Sequence, residues 1–192
     1  MDAANVLTAF NAALALATIE LASRGHLWCA ATTIALAAAL DFVDGHVART
    51  WLSGHAQRRE FGKQLDSLAD LLNFSVAPAY LLALCAGTPA ATIAAAFLVL
   101  SGALRLAAFG ASIPARPMTY SGLPTTYSGL LFALAYQAVA AGRIPASALI
   151  APTVAIGALQ LTALRIPKLK APHAVCCIGA SYLAETLVLH FL

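Results

Sequence analysis

Four aspartates, Asp41, Asp44, Asp66 and Asp70, stand in the pattern DxxDGxxAR, a twelve-residue gap, then GxxxDxxxD. They are half of the chain's eight acids, gathered into thirty residues between hydrophobic stretches. On a helix the first two are three residues apart and the last two four apart, so each pair shares one face. Two such faces brought together make a box of four carboxylates. Carboxylates crowded in or beside a membrane repel one another and lose hydration, and a cation that neutralises them removes both costs. Oxygen-only ligands select a hard divalent metal, Mg2+ or Mn2+. An attacking hydroxyl must also lose its proton. Asp70, at the edge of the set and a turn deeper than Asp66, is the candidate base.

The elements that position this box are read from composition. Hydrophobic residues make up 61% of the 192, and charged residues only 10%, against about 25% in soluble domains. This is an integral membrane chain. At ~20 residues per span, the length suits a single domain over residues 1–192, an all-α bundle of six core helices with a seventh, C-terminal hydrophobic helix. Apolar segments run at about 4–23, 27–52, 64–86, 88–109, 122–141, 144–166 and 173–192, with ends good to ~2–4 residues. The first lacks a basic start and a small-residue cleavage site, so it is expected to remain as a span.

If successive spans alternate, nine of the eleven Lys and Arg fall on one side and only Arg24 and Arg143 on the other. That asymmetry predicts a multi-pass protein of the cytoplasmic membrane with the aspartate box facing the cytoplasm. The net charge of +3 thereby follows topology, and no nucleic-acid partner is expected. Cys29, Cys85, Cys176 and Cys177 lie in apolar runs without CxxC spacing and read as small buried residues.

Span two carries Asp41, Asp44, Gly45, Ala48 and Arg49, and span three begins with Gly62, Asp66 and Asp70, so a turn over residues 53–59 closes a hairpin at the membrane surface. Gly45 and Ala48 let a bulky group approach the acidic face, and the Arg49 guanidinium suits a phosphate. A metal box beside small residues and an arginine is what a diphosphate substrate requires. The bland alternative, surface acids paired with Arg58, Arg59 and Lys63, does not demand that spacing.

All eight positions of the pattern closely resemble the signature of the CDP-alcohol phosphatidyltransferases, whose usual gap of about eight residues is lengthened here to twelve. The resemblance implies a membrane enzyme that transfers a lipid phosphate from a CDP-activated donor to an alcohol and releases CMP. It implies Asp41, Asp44 and Asp66 as metal ligands of a two-ion site, and Asp70 as general base that also touches metal. Gly45, Ala48 and Arg49, with Gly62, would adjoin the CDP diphosphate. The stretches 61–79, 103–107, 121–124 and 165–170, and the start at 5–11, are similar to bacterial and archaeal phosphatidylserine synthases. This implies CDP-diacylglycerol as donor, L-serine as acceptor and a homodimer. Ala108, Phe109 and Gly110 replace the usual ArgPheAsn, and Asn73, Phe74 and Ser75 the usual SerPheGly, so an acceptor carboxylate would meet Arg105 without the second arginine.

Other residues have two readings. Arg105 either reads that carboxylate or snorkels to the interface. Lys168, with Arg165 and Lys170, either binds anionic headgroups, assists at the acceptor or diphosphate, or only signals orientation. Thr8 and Asn11, one turn apart, either hydrogen-bond the nucleotide or join helices. His46 and His55 read as solvated, Trp28 and Trp51 as interfacial anchors. Glu185 needs a partner or water and is assigned no catalytic role. Glycerol phosphate or inositol phosphate as acceptor and an ether-lipid donor stay open. So does a divalent-cation transporter, which would place acids along a continuous path near mid-membrane.

Overall fold

The computed structural model describes residues 3–51, 56–111, 119–167, 179–182, 184–185 and 188, with side chains at 5–43, 60–111, 122–166 and in the last short pieces. Its elements are α1 (Ala3–Ser23), α2 (Leu27–Trp51), α3 (Ala56–Leu71), a π-helical turn (Leu72–Val76), α4 (Ala77–Ala86), α5 (Pro89–Ala111), β1 (Thr119–Ser121), α6 (Thr125–Ala140), a 3-10 turn (Ala146–Leu149), α7 (Ile150–Gln160) and β2 (Arg165–Pro167). Asn5–Ser23, Glu60–Ala86 and Pro89–Ala111 are long and apolar enough to cross a membrane, and Leu27–Val43 and Ala146–Gln160 are shorter apolar helices. The chain is an all-helical membrane protein with one two-stranded antiparallel ladder among the described residues.

The distribution of polarity supports that environment. Val6, Phe10, Leu16, Leu36, Ile93, Leu100 and Leu131 are exposed, while Asn5, Thr8, Asn11, Asn73, Ser75, Ser101, Arg105, Thr125, Thr126, Gln137 and Gln160 are buried. In water the first set would be driven inward. Facing lipid it costs nothing, and packing together with interhelical hydrogen bonds must hold the helices. Ala30, Ala31, Ile34, Ala37 and Ala38 form a smooth stripe on α2 that packs with Phe74, Leu81, Leu82, Phe132 and Tyr136 in the main core. The Phe132 and Tyr136 rings stack with centroids 5.7 Å apart, and the Tyr136 hydroxyl lies 2.8 Å from Cys85 Sγ.

The apolar segments expected at 4–23, 27–52, 64–86 and 88–109 coincide with helical rods, with differences at their ends. The third rod starts earlier, at Ala56, because 56–63 is a polar but helix-favouring run. The expected span 144–166 stops at Gln160, and 165–167 turns into β2 instead. The reason lies in the chain before α6: Ser121 pairs with Arg165, Tyr120 with Ile166 and Thr119 with Pro167. The Gly122 N–H continues this by donating to the Leu164 carbonyl at 2.8 Å. Gly122 has φ +74°, and a Cβ there would strike the Gln160 carbonyl. Only glycine fits this crossing. The last apolar segment, 173–192, is described only in part; its described residues are helical.

The rod from α3 to α4 is interrupted one residue after Leu71. Pro78 has no N–H to donate to the Phe74 carbonyl, and its ring would crowd that oxygen in a regular helix. A π-turn absorbs the conflict, with the Ala77 N–H reaching back five residues to the Leu72 carbonyl. The bulge buries three consecutive side chains, Asn73, Phe74 and Ser75, where a regular helix would turn one of them outward. Gly129 on α6 receives the Phe74 ring: a methyl at Gly129 would lie 2.5 Å from Phe74 Cδ1 and 2.9 Å from its Cβ. Gly129→Ala is therefore expected to destabilise the bundle by about 1–3 kcal/mol through overpacking, read as a lowered unfolding midpoint in detergent. Gly179→Ala, with nothing within 4 Å of the added carbon, is expected to leave the midpoint unchanged.

Candidate active site

The site is built where α2, α3 and α5 meet the first turn of α6. Asp41 lies on the apolar part of α2, and Asp66 and Asp70 lie on α3. All three are partly buried. Asp70 stands in the electrostatic field of Asp41, Asp66 and Arg105 together, so the structure brings these four groups into one neighbourhood. Asp44, Gly45, Ala48 and Arg49 belong to α2, but their side chains lie outside the described residues, as does Lys168. Among the described residues no three His, Cys, Asp or Glu side chains close into a metal-holding group.

Two adjacent threonines open α6 and divide between the acidic helices. The Thr125 hydroxyl donates to Asp70 Oδ2 and the Thr126 hydroxyl to Asp41 Oδ2, each at 3.0 Å. Arg105, reaching over from α5, donates through Nη1 to Thr125 Oγ1 at 3.5 Å. Its side chain is buried at 8% exposure, so it turns inward to the acids and does not snorkel outward. The threonine oxygen thus accepts from a cation and donates to an anion, a chain whose polarity runs from Arg105 to Asp70. The positive end of the α6 dipole adds to the same side of the balance.

The threonines were not among the residues singled out from the sequence. A signal was present, because they directly follow the SerGlyLeuPro stretch at 121–124. Pro124, with ψ 143°, is the N-cap that launches α6. The Leu123 N–H donates to the Leu159 carbonyl at 3.0 Å, so this entry is stitched to the end of α7 as well as to β2. The ladder also brings Arg165, exposed, to the level of Ser121, four residues before Thr125.

Behind the acids the helices are joined by buried amides and hydroxyls. Asn11 donates to the Ala37 carbonyl on α2 at 3.2 Å, and Asn73 donates to the Asn11 carbonyl at 2.8 Å. Asn11 thus occupies its helix-joining role through Nδ2, while its Oδ1 is buried without a hydrogen bond. Gly62 lets α3 pass close to α1: a Cβ there would lie 2.9 Å from Asn5 Oδ1. On the α5 side, Ser101 donates to Gln160 Oε1 at 2.9 Å, and Gln160 donates to Ser128 at 2.8 Å. Lys63 donates to the Gly110 carbonyl at 3.0 Å, tying the middle of α3 to the end of α5. The backbone carbonyl of Gly110 is thereby used for packing the hairpin against α5.

A family model for CDP-alcohol phosphatidyltransferase matches residues 1–188. The chain is 36% identical over 135 residues to the CDP-diacylglycerol–serine O-phosphatidyltransferase of Methanocaldococcus jannaschii, a match covering 70% of this chain and 62% of that protein. It is 28% identical over 166 residues to the archaetidylserine synthase of Methanothermobacter thermautotrophicus, covering 85% and 69%. With the CDP-diacylglycerol–serine O-phosphatidyltransferase of Bacillus subtilis it shares 31% over 140 residues, covering 70% and 69%. The matched stretch thus spans 62–69% of these relatives' own lengths. An acidic signature carried on α2 and α3, an inward arginine and a family match over almost all of the sequence agree: this chain belongs to the CDP-alcohol phosphatidyltransferase family.

Proposed function

We propose that the chain transfers the phosphatidyl group of CDP-diacylglycerol to L-serine, giving phosphatidylserine and CMP, at a divalent-metal site facing the cytoplasm. The observation that carries this reading is the convergence of Asp41, Asp66, Asp70 and the buried Arg105 at the α6 entry. Serine is favoured because it is the acceptor named for the Methanocaldococcus and Bacillus relatives. The archaetidylserine synthase keeps an ether-lipid donor as a second reading.

The donor set fits a hard cation: it is made of oxygen, negatively charged and withdrawn from bulk water, and neither Cys nor His stands among its described members. Asp41, Asp44, Asp66 and Asp70 would hold Mg2+ or Mn2+, which when bound would neutralise the diphosphate oxygens and lower the charge on the departing phosphate. Gly45 and Ala48 leave room for the CDP moiety, and Arg49 pairs with its phosphate, while Gly62 admits Asn5 of α1. Thr8 is buried on α1 and would hydrogen-bond the nucleotide, whereas Asn11 is engaged in joining α1 to α2. The acyl chains remain in the bilayer against the exposed apolar faces.

Asp70 takes the proton from the serine hydroxyl. The serine oxygen then forms a bond to the phosphorus that carries diacylglycerol, the bond from that phosphorus to the bridging oxygen breaks, and CMP leaves with the electron pair. Arg105 holds the serine carboxylate through a charge-assisted hydrogen bond, and Lys168 supplies further positive charge at the acceptor side.

Purified protein with CDP-diacylglycerol, Mn2+ and serine is expected to release CMP and form phosphatidylserine, and chelation of the metal is expected to stop both. Asp70→Asn should lower kcat by about 10²-fold or more. CMP release with none of serine, glycerol phosphate or inositol phosphate would sink the enzyme reading, and release with inositol phosphate but not serine would sink the acceptor. Arg105→Gln is expected to raise the KM for serine by about tenfold or more, leaving the KM for CDP-diacylglycerol within about threefold. An unchanged serine KM would remove Arg105 from the acceptor site.

A further inference from the structure

The two hydroxyls that touch the acids come from neighbouring residues of one helical turn, yet each goes to a different acidic helix. Residues i and i+1 point about 100° apart around a helix axis. Thr126 therefore reaches α2, at Asp41 Oδ2, while Thr125 reaches α3, at Asp70 Oδ2. Both threonines are buried, at 1% and 7% exposure. Their place is fixed from outside the site by Pro124, by the Leu123 bond to α7 and by the β1–β2 ladder. The α2 and α3 carboxylates repel each other, so nothing in their own charges sets their separation or rotamers. One donor on each, carried by a rigid third helix, does both.

We propose that Thr125 and Thr126 are positioning residues with different tasks: Thr126 holds Asp41 in the orientation that receives a divalent cation, and Thr125, backed by Arg105, holds Asp70 in the orientation that receives the acceptor's proton. The second task rests on the function proposed above, whereas the first requires only that the acids bind a cation. Each hydroxyl occupies one carboxylate oxygen and directs the other. Thr125 also joins Arg105 to Asp70, so acceptor capture and proton removal are set by one hydroxyl. A β-branched side chain suits the work because few χ1 rotamers are open to it.

The full-length protein with Thr125→Val, Thr125→Ser, Thr126→Val and Thr126→Ser tests this by two measurements. The first is the Mn2+ concentration that gives half of the cation-induced rise in unfolding midpoint, without substrate. Thr126→Val is expected to need about tenfold or more Mn2+, and Thr125→Val less than about threefold more. The second is turnover. Thr125→Val should lose about 10–100-fold in kcat at every Mn2+ concentration, while the loss in Thr126→Val should be recovered by added Mn2+. Both serine variants, which keep the hydroxyl, should stay within about threefold of the parent. Valine variants that match the parent, serine variants as impaired as valine, or equal Mn2+ dependence of the two valine variants would each overturn the assignment. So would valine variants that fail to fold where serine variants fold, since the assigned role demands folded but misaligned protein. If the parent releases no CMP with any acceptor, the enzyme reading and the Thr125 task fail, and the Mn2+ titration alone decides for Thr126.

Discussion

Negative charge held among apolar helices is the constraint on which the rest of this molecule depends. Asp41, Asp66 and Asp70 sit close enough to act on one another, in a bundle whose outer faces are leucine, isoleucine, valine and phenylalanine. Lipid offers those carboxylates no hydration and no counter-charge. Every compensating feature found in the described residues comes from inside the protein: a buried arginine, two threonine hydroxyls and the amino end of α6. These groups reach the carboxylates only because α5 and α6 are held against α2 and α3. The polar joints between these helices, Asn73 to Asn11, Asn11 to Ala37, and Ser101 through Gln160 to Ser128, therefore serve the site although they lie behind it. In a lipid environment such bonds add only modest stability each, but they are directional, which close packing of alanines is not.

The hairpin is insufficient by itself. It carries the whole acidic signature, but the groups that orient two of its acids come from α6, some fifty-five and eighty-five residues further along the chain. The small ladder explains how that distance is bridged. By pairing the segment before α6 with the segment after α7, it fixes the α6 entry relative to the end of α7. Gly122 marks the crossing, since its positive φ and the nearby Gln160 carbonyl leave no space for a side chain. A short irregular piece of chain thus sets the position of the two threonines that hydrogen-bond the acids.

The aspartate spacing and the apolar segments were legible because both are local: a three- or four-residue interval identifies a helix face, and a run of about twenty apolar residues a membrane span. Thr125 and Thr126 were not, because a threonine at a helix start reads equally as a cap, as helix-joining polarity or as an active-site donor. Only the tertiary approach of α2 and α3 selects among these. Arg105 likewise had two readings, and its burial against Thr125 removes the outward one. The end of the sixth apolar segment was misjudged for a different reason. Residues 161–166 are apolar enough to prolong a helix, but the β1 strand offers their backbone other partners, and hydropathy carries no information on that competition.

The π-turn constrains the same site from behind. Asn73, Phe74 and Ser75 follow Asp70 along the same rod, and they are the residues enclosed by the bulge. Asn73 uses its amide to bind the Asn11 carbonyl on α1, Phe74 fills the space left by Gly129 on α6, and Ser75 lies against Gly102 on α5. Three successive residues thus contact three different helices, which the 100° steps of a regular helix allow less evenly than the wider π-turn. The position of Asp70, three residues before the first of them, is locked to α1, α5 and α6 at once. A change among these three residues would rotate α3 relative to α6 and with it Asp70 relative to Thr125. The bulge, with Gly102 and Gly129 on the facing helices to receive it, therefore sets how Asp70 is held against its neighbours.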